Sequence, residues 1–435
     1  MPKAVSRMLT LLCALVVSLP VGTNLGLLHL LWMLVSGRLL ATRGAVIPGL
    51  DACDLSRRAV RRAWAALGQG AWTSERLLAQ WAQLVSGEGH WQAQTHDGYH
   101  PVPVDVTAFW RPRLRGCPTT HYSAEAGKAL PAIPVGVVAR VGTVGGQRLG
   151  VPLALVPAPA EDARPSAHAR TLVRAAVAQS AADDVLVCDA GFPLALLQEE
   201  DAQRFVVRLA QNATFRRATP PAYHGRGRPP TRGAMVRPLP RTYQGRPLAA
   251  TPPDATLSWE EEGVRLRAEL WRDLVLPRAG VRAPTLTVIA LYDPCSRDPW
   301  LLATPLPLSP QALRTLYRDR WPVEQLPLVA KQLLGAARQF VHAPQTCQRL
   351  PVLALLAGTI LAYAAATAPA IPTGFWDRRP RPTAGRLRRA LEGYPFPADF
   401  PLPARLHPKR VVTAHLPTGF WGQRRRPPAP PADVA

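Results

Sequence analysis

The spacing of apolar residues divides the chain into helical and extended regions. Residues 1–95 carry apolar positions three and four apart, which predicts helices. From residue 96 to 215 short apolar runs such as "HPVPVDVTAFW" and "DVLVCDAGF" alternate with the amphipathic stretches "SAHARTLVRAAVAQSA" and "PLALLQEEDA". The order of strand, hairpin, helix, strand, helix and strand predicts an α/β fold, a mixed sheet with covering helices.

Two later changes of pattern indicate further domain boundaries. Residues 216–305 read as strands around a basic loop, so we expect a β-rich insertion domain there. Residues 306–370 return to helical spacing and end in the apolar run "LPVLALLAGTILAYAAATA". Residues 371–435 are rich in proline and arginine and contain the related stretches "PTGFWDRRPRP" and "PTGFWGQRRRP", which predicts a loosely ordered basic tail.

The apolar start of the chain has two interpretations. "MPKAVSRMLTLLCALVVSLP" imitates a signal peptide, and "LGLLHLLWMLVSG" follows at once. Pro20, Gly22 and Asn24 interrupt the pair, and neither half reaches the roughly 20 residues of a spanning helix. We therefore expect two buried helices and no membrane association, with an export or membrane signal as the alternative.

A basic helical pair follows in the same region. Ser56 is a candidate N-cap for a helix that carries an arginine stripe at residues 57, 58, 61 and 62. A second helix follows a glycine-bearing turn, so the pair is either a helix-turn-helix-like DNA reader or an ordinary helical pair with a solvated face.

The amino-acid composition indicates what kind of partner the protein binds. The chain of 435 residues has 52 basic and 29 acidic side chains, a net charge of +23, and 47% hydrophobic residues. Such an excess favours a polyanionic partner, most simply nucleic acid. The six cysteines show no CxxC spacing, which argues against a zinc site or a disulfide framework and suits a reducing cytoplasm.

One stretch, "LYRDRWPVEQLPLVAKQLLG" at residues 316–335, combines an aromatic residue, cations and a carboxylate at helical spacing. On one continuous helix Tyr317, Arg320, Glu324 and Lys331 fall within about 60° of arc, opposite an apolar side. The alternative is a solvated face with an Arg320–Glu324 pair.

Two further carboxylates lie where buried strands would place them. Asp105 lies inside "VPVDVTAF" and Asp189 ends "VLVCDAGF". If the two strands are neighbours, both acids meet at one place, and a crossing helix can deliver Glu324. Three converging carboxylates repel one another unless divalent cations bind them. The competing candidates are other nearby acids, namely Asp97, Asp183, Asp184 and Asp319.

The pattern Tyr317-x2-Arg320-x3-Glu324-x6-Lys331, preceded by Asp105 and Asp189, resembles the Tyr-Arg-Glu-Lys signature of bacterial insertion-sequence DDE transposases. The resemblance covers roughly residues 28–367. It implies an RNase H-like catalytic core in two parts, at residues 96–215 and 306–370, with the β insertion between them. It also implies a DNA-binding role for the helical N-terminal domain.

The resemblance further implies how the site works. Asp105, Asp189 and Glu324 would be catalytic and would bind two Mg²⁺ ions, with Mn²⁺ as an alternative. Tyr317, Arg320 and Lys331 would hold DNA phosphates, and Trp300 would stack on a flipped base. The partners implied are the transposon's terminal inverted repeats, target DNA and a second copy of the chain in a synaptic complex, all in the cytoplasm on the nucleoid.

The sequence also departs from this family and leaves other functions open. Pro322 and Pro327 interrupt the signature helix, although Pro322 suits the first turn of a second helix. The loop "GRGRPP" with Arg226 and Arg228 resembles an AT-hook core, which predicts DNA contact. A nuclease or resolvase on the same fold and a catalytically dead, transposase-derived DNA-binding protein are the alternative functions.

Overall fold

The computed structural model describes residues 3–159, 164–225, 230–278, 283–397 and 399–407. A π-helical segment, Val329–Leu333, continues the tenth helix directly, and Ala404–Leu406 forms a 3₁₀ turn. The helices are α1 (Lys3–Val16), α2 (Thr23–Val35), α3 (Arg38–Ala41), α4 (Val46–Asp51), α5 (Arg57–Gln69), α6 (Ser74–Glu88), α7 (Pro165–Gln179), α8 (Leu194–Glu199), α9 (Pro310–Arg318), α10 (Trp321–Leu328), α11 (Pro344–Thr367) and α12 (Ala384–Glu392).

The strands form one large mixed sheet and one small hairpin, β10 with β11. They are β1 (Gln92–Ala93), β2 (His100–Trp110), β3 (Thr120–Ser123), β4 (Lys128–Val144), β5 (Gln147–Pro157), β6 (Asp184–Cys188), β7 (Phe205–Arg208), β8 (Phe215–Arg217), β9 (Met235–Val236), β10 (Arg241–Tyr243), β11 (Arg246–Leu248), β12 (Ala255–Glu261), β13 (Val264–Val275), β14 (Leu286–Tyr292) and β15 (Trp300–Thr304).

The centre of the large sheet has the order β5-β4-β2-β6-β7. Strands β5, β4 and β2 are antiparallel neighbours, whereas β2, β6 and β7 run parallel. The β4–β5 turn contains Gly145 and Gly146, both with positive φ, which the tight hairpin requires. This mixed sheet, with its helices and the helical region before it, confirms the expected RNase H-like α/β fold class.

The β-rich insertion continues the same sheet. After β7 the chain forms β8 to β15, and β15 returns to pair with β7 through Ala303 and Val207. The sheet then runs on through β14, β13 and β8 to β9. The insertion therefore leaves the core after β7 and re-enters it through α9, which packs on β7 and β14.

Helices cover both faces of the central strands. Helix α7 packs on β4 and β5, and Gly136 of β4 allows this close approach because a Cβ there would lie 2.6 Å from the Leu172 side chain. Helices α10 and α11 contact the same strands, and α1, α2 and α5 pack around α11. The core is thus sheet, then α10 and α11, then the N-terminal helices.

The apolar N-terminal segments pack inside this core. Every residue of α2 from Asn24 to Val35 is buried, which confirms the expectation of two buried helices. Within the described residues one helix, α11, is long and apolar enough to cross a membrane, but 83% of its most apolar window is buried in the protein. Burial of this kind is typical of a core helix.

Two other predictions from the sequence concern the N-cap of α5 and the order of the C-terminal tail. The Ser56 hydroxyl accepts a hydrogen bond from the Ala59 amide and caps α5, as the sequence predicted. The basic tail is not loosely ordered throughout, because α12 buries Leu387 and Leu391 against the core. Such apolar positions at i and i+4 form a short amphipathic helix that a compositional argument overlooks.

Candidate active site

Neighbouring parallel strands bring Asp105 and Asp189 together. Val104 of β2 pairs with Cys188, the last residue of β6, and each acid follows its strand's member of this pair directly. Both acids line one cavity of about 290 Å³. The charge of Asp189 also acts on the carboxyl group of Asp105. The two strand acids therefore lie near each other.

Local backbone amides orient these two carboxylates. Asp105 accepts a hydrogen bond from the Val106 amide at 2.8 Å, and Asp189 accepts one from the Gly191 amide at 2.9 Å. Each bond uses one carboxylate oxygen and leaves the other available. The Asp105 side chain is 23% exposed, so its remaining oxygen can be reached from the site.

Glu324 arrives on a second helix and not on one continuous helix. Helix α9 ends at Arg318 and α10 begins at Trp321, with Pro322 in its first turn as the sequence suggested. The bend lies at the fully buried Asp319, which pairs with His96 at 2.6 Å and with Arg148 at 2.7 Å. The single helical face drawn from residue spacing is therefore wrong, because Pro322 cannot donate a hydrogen bond to the Arg318 carbonyl and instead lies in the first turn of a second helix.

Arg320, at the start of α10, connects the acids. Its guanidinium donates a hydrogen bond to Oε1 of Glu324, and its Nη1 lies 3.9 Å from Oδ2 of Asp105. The same guanidinium lies 5.8 Å from the centre of the Tyr317 ring. The Arg320–Glu324 pair of the alternative interpretation is thus present, but Arg320 also reaches a strand carboxylate.

The electrostatics couple all three carboxylates. Burial raises the pKa of Asp105 from 3.8 to about 6, an effect that Arg320 opposes and that the charges of Asp189 and Glu324 reinforce. Like charges raise a carboxyl pKa only at close range. A cation at this position would relieve the repulsion, and in this structure the Arg320 guanidinium supplies part of that positive charge.

Lys331 lies within the π-helical segment and turns toward β2. Its Nζ donates to the Thr107 hydroxyl at 2.7 Å and lies 5.0 Å from the centre of the Trp110 ring. Burial lowers the pKa of Lys331 from 10.5 to about 8, and the charge of Asp105 opposes this shift. Lys331 therefore stays in the electrostatic range of the acids despite the prolines that precede it.

The competing acids have partners elsewhere. Asp319 is the buried residue of the α9–α10 bend described above. For the other three, Ser309 donates to Asp97, His100 lies 3.2 Å from Asp183, and Arg140 pairs with the buried Asp184. None of these contacts leads to the cavity shared by Asp105 and Asp189.

Part of the chain matches a known protein family. A family model described as DDE superfamily endonuclease matches residues 154–277. The match contains Asp189 and β6 to β13, and it ends before Glu324. No curated protein matches the chain. The match supports a DDE-type transposase or endonuclease, hence a nuclease-like enzyme whose substrate is DNA.

DDE endonuclease domains generally use divalent metal ions. If the chain works in the same way, Asp105, Asp189 and Glu324 must be able to bind such ions. Carboxylate oxygens are the ligands that Mg²⁺ prefers, and the raised pKa of Asp105 marks a place short of positive charge. Among the described residues, no group of three or more His, Cys, Asp or Glu side chains is already arranged to hold a metal. The donor chemistry fits, and Glu324 would have to leave Arg320 to join a metal.

Tyr317 and Trp300 form an aromatic pair beside the acids. Their ring centres lie 5.3 Å apart in an edge-to-face arrangement, and Tyr317 is buried while Trp300 is half-buried. They border a groove of about 450 Å³ that Arg320 also lines. The structure thus brings Tyr317, Arg320 and Trp300 together, as the family resemblance implies, whereas Arg226 and Arg228 lie outside the described residues.

Three residues that line this groove were not singled out by the sequence pattern. Arg148 projects from β5, Arg208 ends β7, and Trp321 is 63% exposed at the start of α10. Trp321 lies next to Arg320 in the signature, and Arg208 ends a buried strand as Asp189 nearly does, so both carried a detectable signal. Arg148 carried none, because only the fold brings β5 beside the α9–α10 bend.

Proposed function

We propose that this protein is the DNA transposase of an insertion sequence, which cuts transposon ends and joins the 3′-OH to target DNA. The observation that carries the proposal is that Asp105 and Asp189 line one cavity, while Arg320 links Asp105 to Glu324. The DDE endonuclease match supports the chemistry, and the Tyr-Arg-Glu-Lys pattern supports the narrower assignment.

Each acid has a distinct role in this proposal. Asp105 would contact two Mg²⁺ or Mn²⁺ ions, and Asp189 and Glu324 would each hold one. Two such metal ions activate a hydroxyl nucleophile and stabilise negative charge during in-line displacement at phosphorus. The amide bonds to Asp105 and Asp189 keep both carboxylates aimed at the site before DNA arrives.

The cations position the DNA in the same proposal. Arg320 would exchange its carboxylate partners for the phosphate at the cut, since a guanidinium binds carboxylate and phosphate with the same fork geometry. Lys331 would bind a neighbouring phosphate, and Trp300 would offer its exposed side to a base. The net charge of +23 supports binding to terminal repeats, to target DNA and to the nucleoid. A dimer would hold two ends in one synaptic complex.

The direct test is strand transfer with DNA that flanks the reading frame. Purified protein, a donor plasmid with those flanks and a target plasmid are incubated with Mg²⁺ or with EDTA, and junctions are sequenced. We expect joined products only with Mg²⁺. Cleavage without joining would favour a nuclease or resolvase, and binding without cleavage would favour a catalytically dead DNA-binding protein.

The Asp189→Asn variant provides the matched test of the site. The amide keeps the shape of the side chain but loses the charge that attracts Mg²⁺, so cleavage should be lost while end binding remains near that of the parent. Asp51→Asn, an exposed acid on α4, is the control and should cleave normally. Binding in both should weaken steeply between about 50 and 200 mM salt.

A further inference from the structure

A second groove lies at the other end of β2 from the acids. Residues 110–114, at the end of β2 and in the turn after it, form one wall, and residues 337–342, after the π-helical segment, form the other. The groove has a volume of about 650 Å³. We call it the Phe340 groove. Trp110 is five residues beyond Asp105 on β2, which corresponds to roughly 17 Å along an extended strand.

The walls of the Phe340 groove are basic. They contain three arginines and a histidine, and no acidic residue lines the groove in the described part of the chain. Arg111 is buried and donates to the Val341 carbonyl, so it supports the wall. Arg113 and Arg338 are exposed, and no contact among the described residues ties down their side chains. Two guanidinium groups therefore face solvent beside a cavity.

An exposed aromatic ring, that of Phe340, lines the same groove as these cations. Phe340 is 55% exposed, although its backbone amide is anchored to the Gly44 carbonyl at 3.0 Å. The anchor joins the groove to the N-terminal helices, where the exposed Arg43 precedes Gly44. An anchored aromatic ring in a groove with exposed cations is the arrangement with which proteins stack unpaired bases and bind the adjoining phosphates.

Two buried polar atoms in the walls lack partners among the described residues. They are Nε1 of Trp110, a donor, and Oε1 of Gln339, an acceptor. Gln339 is only 5% exposed, and its Nε2 donates to the Ala336 carbonyl, which sets the orientation of the amide. Both atoms are buried, so the groups that a DNA strand can reach in the groove are the Phe340 ring and the exposed Arg113 and Arg338.

Lys331 connects this groove to the acids. Its ammonium bonds Thr107 and lies over the Trp110 ring, so positive charge runs from Arg320 through Lys331 to the groove. A DNA strand that follows this line covers the roughly 17 Å to Trp110 in a few nucleotides.

We propose that the Phe340 groove binds an unpaired segment of a DNA strand, roughly 17 Å from the phosphate at the acids. The inference rests on the proposed function for that distance, but single-strand binding in the groove can be measured without any cleavage. Phe340 stacks on one base, and Arg113 and Arg338 bind the flanking phosphates.

The test compares matched double variants of the full-length chain. Phe340→Ala with Arg338→Ala removes the stacking ring and one cation. Tyr243→Ala with Arg246→Ala removes an equally exposed aromatic residue and an arginine that face each other across the β10–β11 hairpin. Fluorescence anisotropy in EDTA measures binding to a labelled 12-nucleotide single strand and to a duplex of the same sequence.

The expected result separates the two variants. The groove variant should bind the single strand roughly tenfold or more weakly than the parent, with a smaller loss on duplex. The control variant should stay within about twofold of the parent on both, which is the scatter of exposed substitutions. Equal losses for both variants, or a loss confined to duplex, would overturn the proposal.

A second measurement uses the unmodified protein and does not depend on variants that fold. A single strand with photoreactive thymine analogues is cross-linked to the parent chain, and the attached peptides are identified by mass spectrometry. We expect attachment at Phe340 or Trp110. Attachment only at other sites would contradict the groove assignment, while absence of Mg²⁺-dependent strand transfer alone would contradict the transposase and leave this result standing.

Discussion

Nη1 of Arg320 lies 3.9 Å from Oδ2 of Asp105, so a cation on the signature helix faces a carboxylate on the central strand. The two residues are far apart in the chain and meet only because α10 packs on β2. A pair confined to the helix surface would not require Asp105. The contact therefore links the Tyr-Arg-Glu-Lys pattern to the strand acids in one site.

Replacing Arg320 with lysine should impair end processing with little effect on stability. Lysine keeps the charge but cannot bind a phosphate through two parallel hydrogen bonds. We expect strand cleavage to fall by about tenfold or more, while the melting temperature moves little because a partly exposed pair contributes about 0.5 kcal/mol. The control is Arg388→Lys, whose arginine pairs with Glu392 at the same i,i+4 spacing in α12. An Arg320→Lys protein as active as the parent would remove the functional interpretation of the motif.

Replacing Asp105 with asparagine should stabilise the folded protein at neutral pH. Burial raises the folded-state pKa of Asp105 to about 6, above its ordinary 3.8. Protonation therefore stabilises the fold at low pH, and this contribution is lost as pH rises through about 6. The variant should match the parent near pH 4 and exceed its stability by about 1–3 kcal/mol at pH 8.

Thermal melts at the two pH values in EDTA measure this difference. Added Mg²⁺ should then raise the melting temperature of the parent more than that of Asp105→Asn, because the ion relieves the same repulsion. A variant that is less stable than the parent at pH 8 in EDTA would show that Asp105 is held as a favourable ion pair with Arg320.

Replacing Lys331 with arginine should change the pH dependence of DNA binding. Burial lowers the pKa of Lys331 to about 8, so the parent loses this charge between pH 7 and 9. Arginine remains charged throughout. End affinity should fall with pH more steeply in the parent than in the variant, as measured by anisotropy at constant salt. Lys128→Arg, at an exposed lysine of β4, is the control and should leave the parent's profile unchanged.

Replacing Asp319 with asparagine should affect folding and not chemistry. The buried carboxylate pairs with His96 and Arg148, and its loss removes the charged partner of both side chains. We expect a destabilisation of about 2–3 kcal/mol, at the lower end for buried pairs because Arg148 is partly exposed. Denaturant melts measure the loss, and the cleavage rate per folded molecule should stay close to that of the parent. A complete loss of cleavage in a folded variant would make Asp319 the true third acid.

The local residue pattern was sufficient to predict the central strands and the two acids that they carry. Alternating apolar residues around Asp105 and the short apolar run before Asp189 predicted two strands, and a strand–hairpin–helix–strand order predicted that they could be neighbours. Burying a carboxylate at the end of an apolar run is costly without a cation, so the residue pattern alone singles out these two positions.

Only the tertiary structure decided how the third acid arrives. The wheel of residues 317–331 assumed one helix, but α9 ends at Arg318 and α10 begins with Pro322 in its first turn. Asp319, in the bend between them, pairs with His96 and Arg148 in the folded core. No local propensity encodes an ion pair with residues more than 150 positions away. The aromatic and basic grooves depend on the same long-range packing, since β2, β5, β7 and the segment after α10 supply their walls. Sequence thus determines which residues are available for chemistry, and packing between distant elements determines which of them meet.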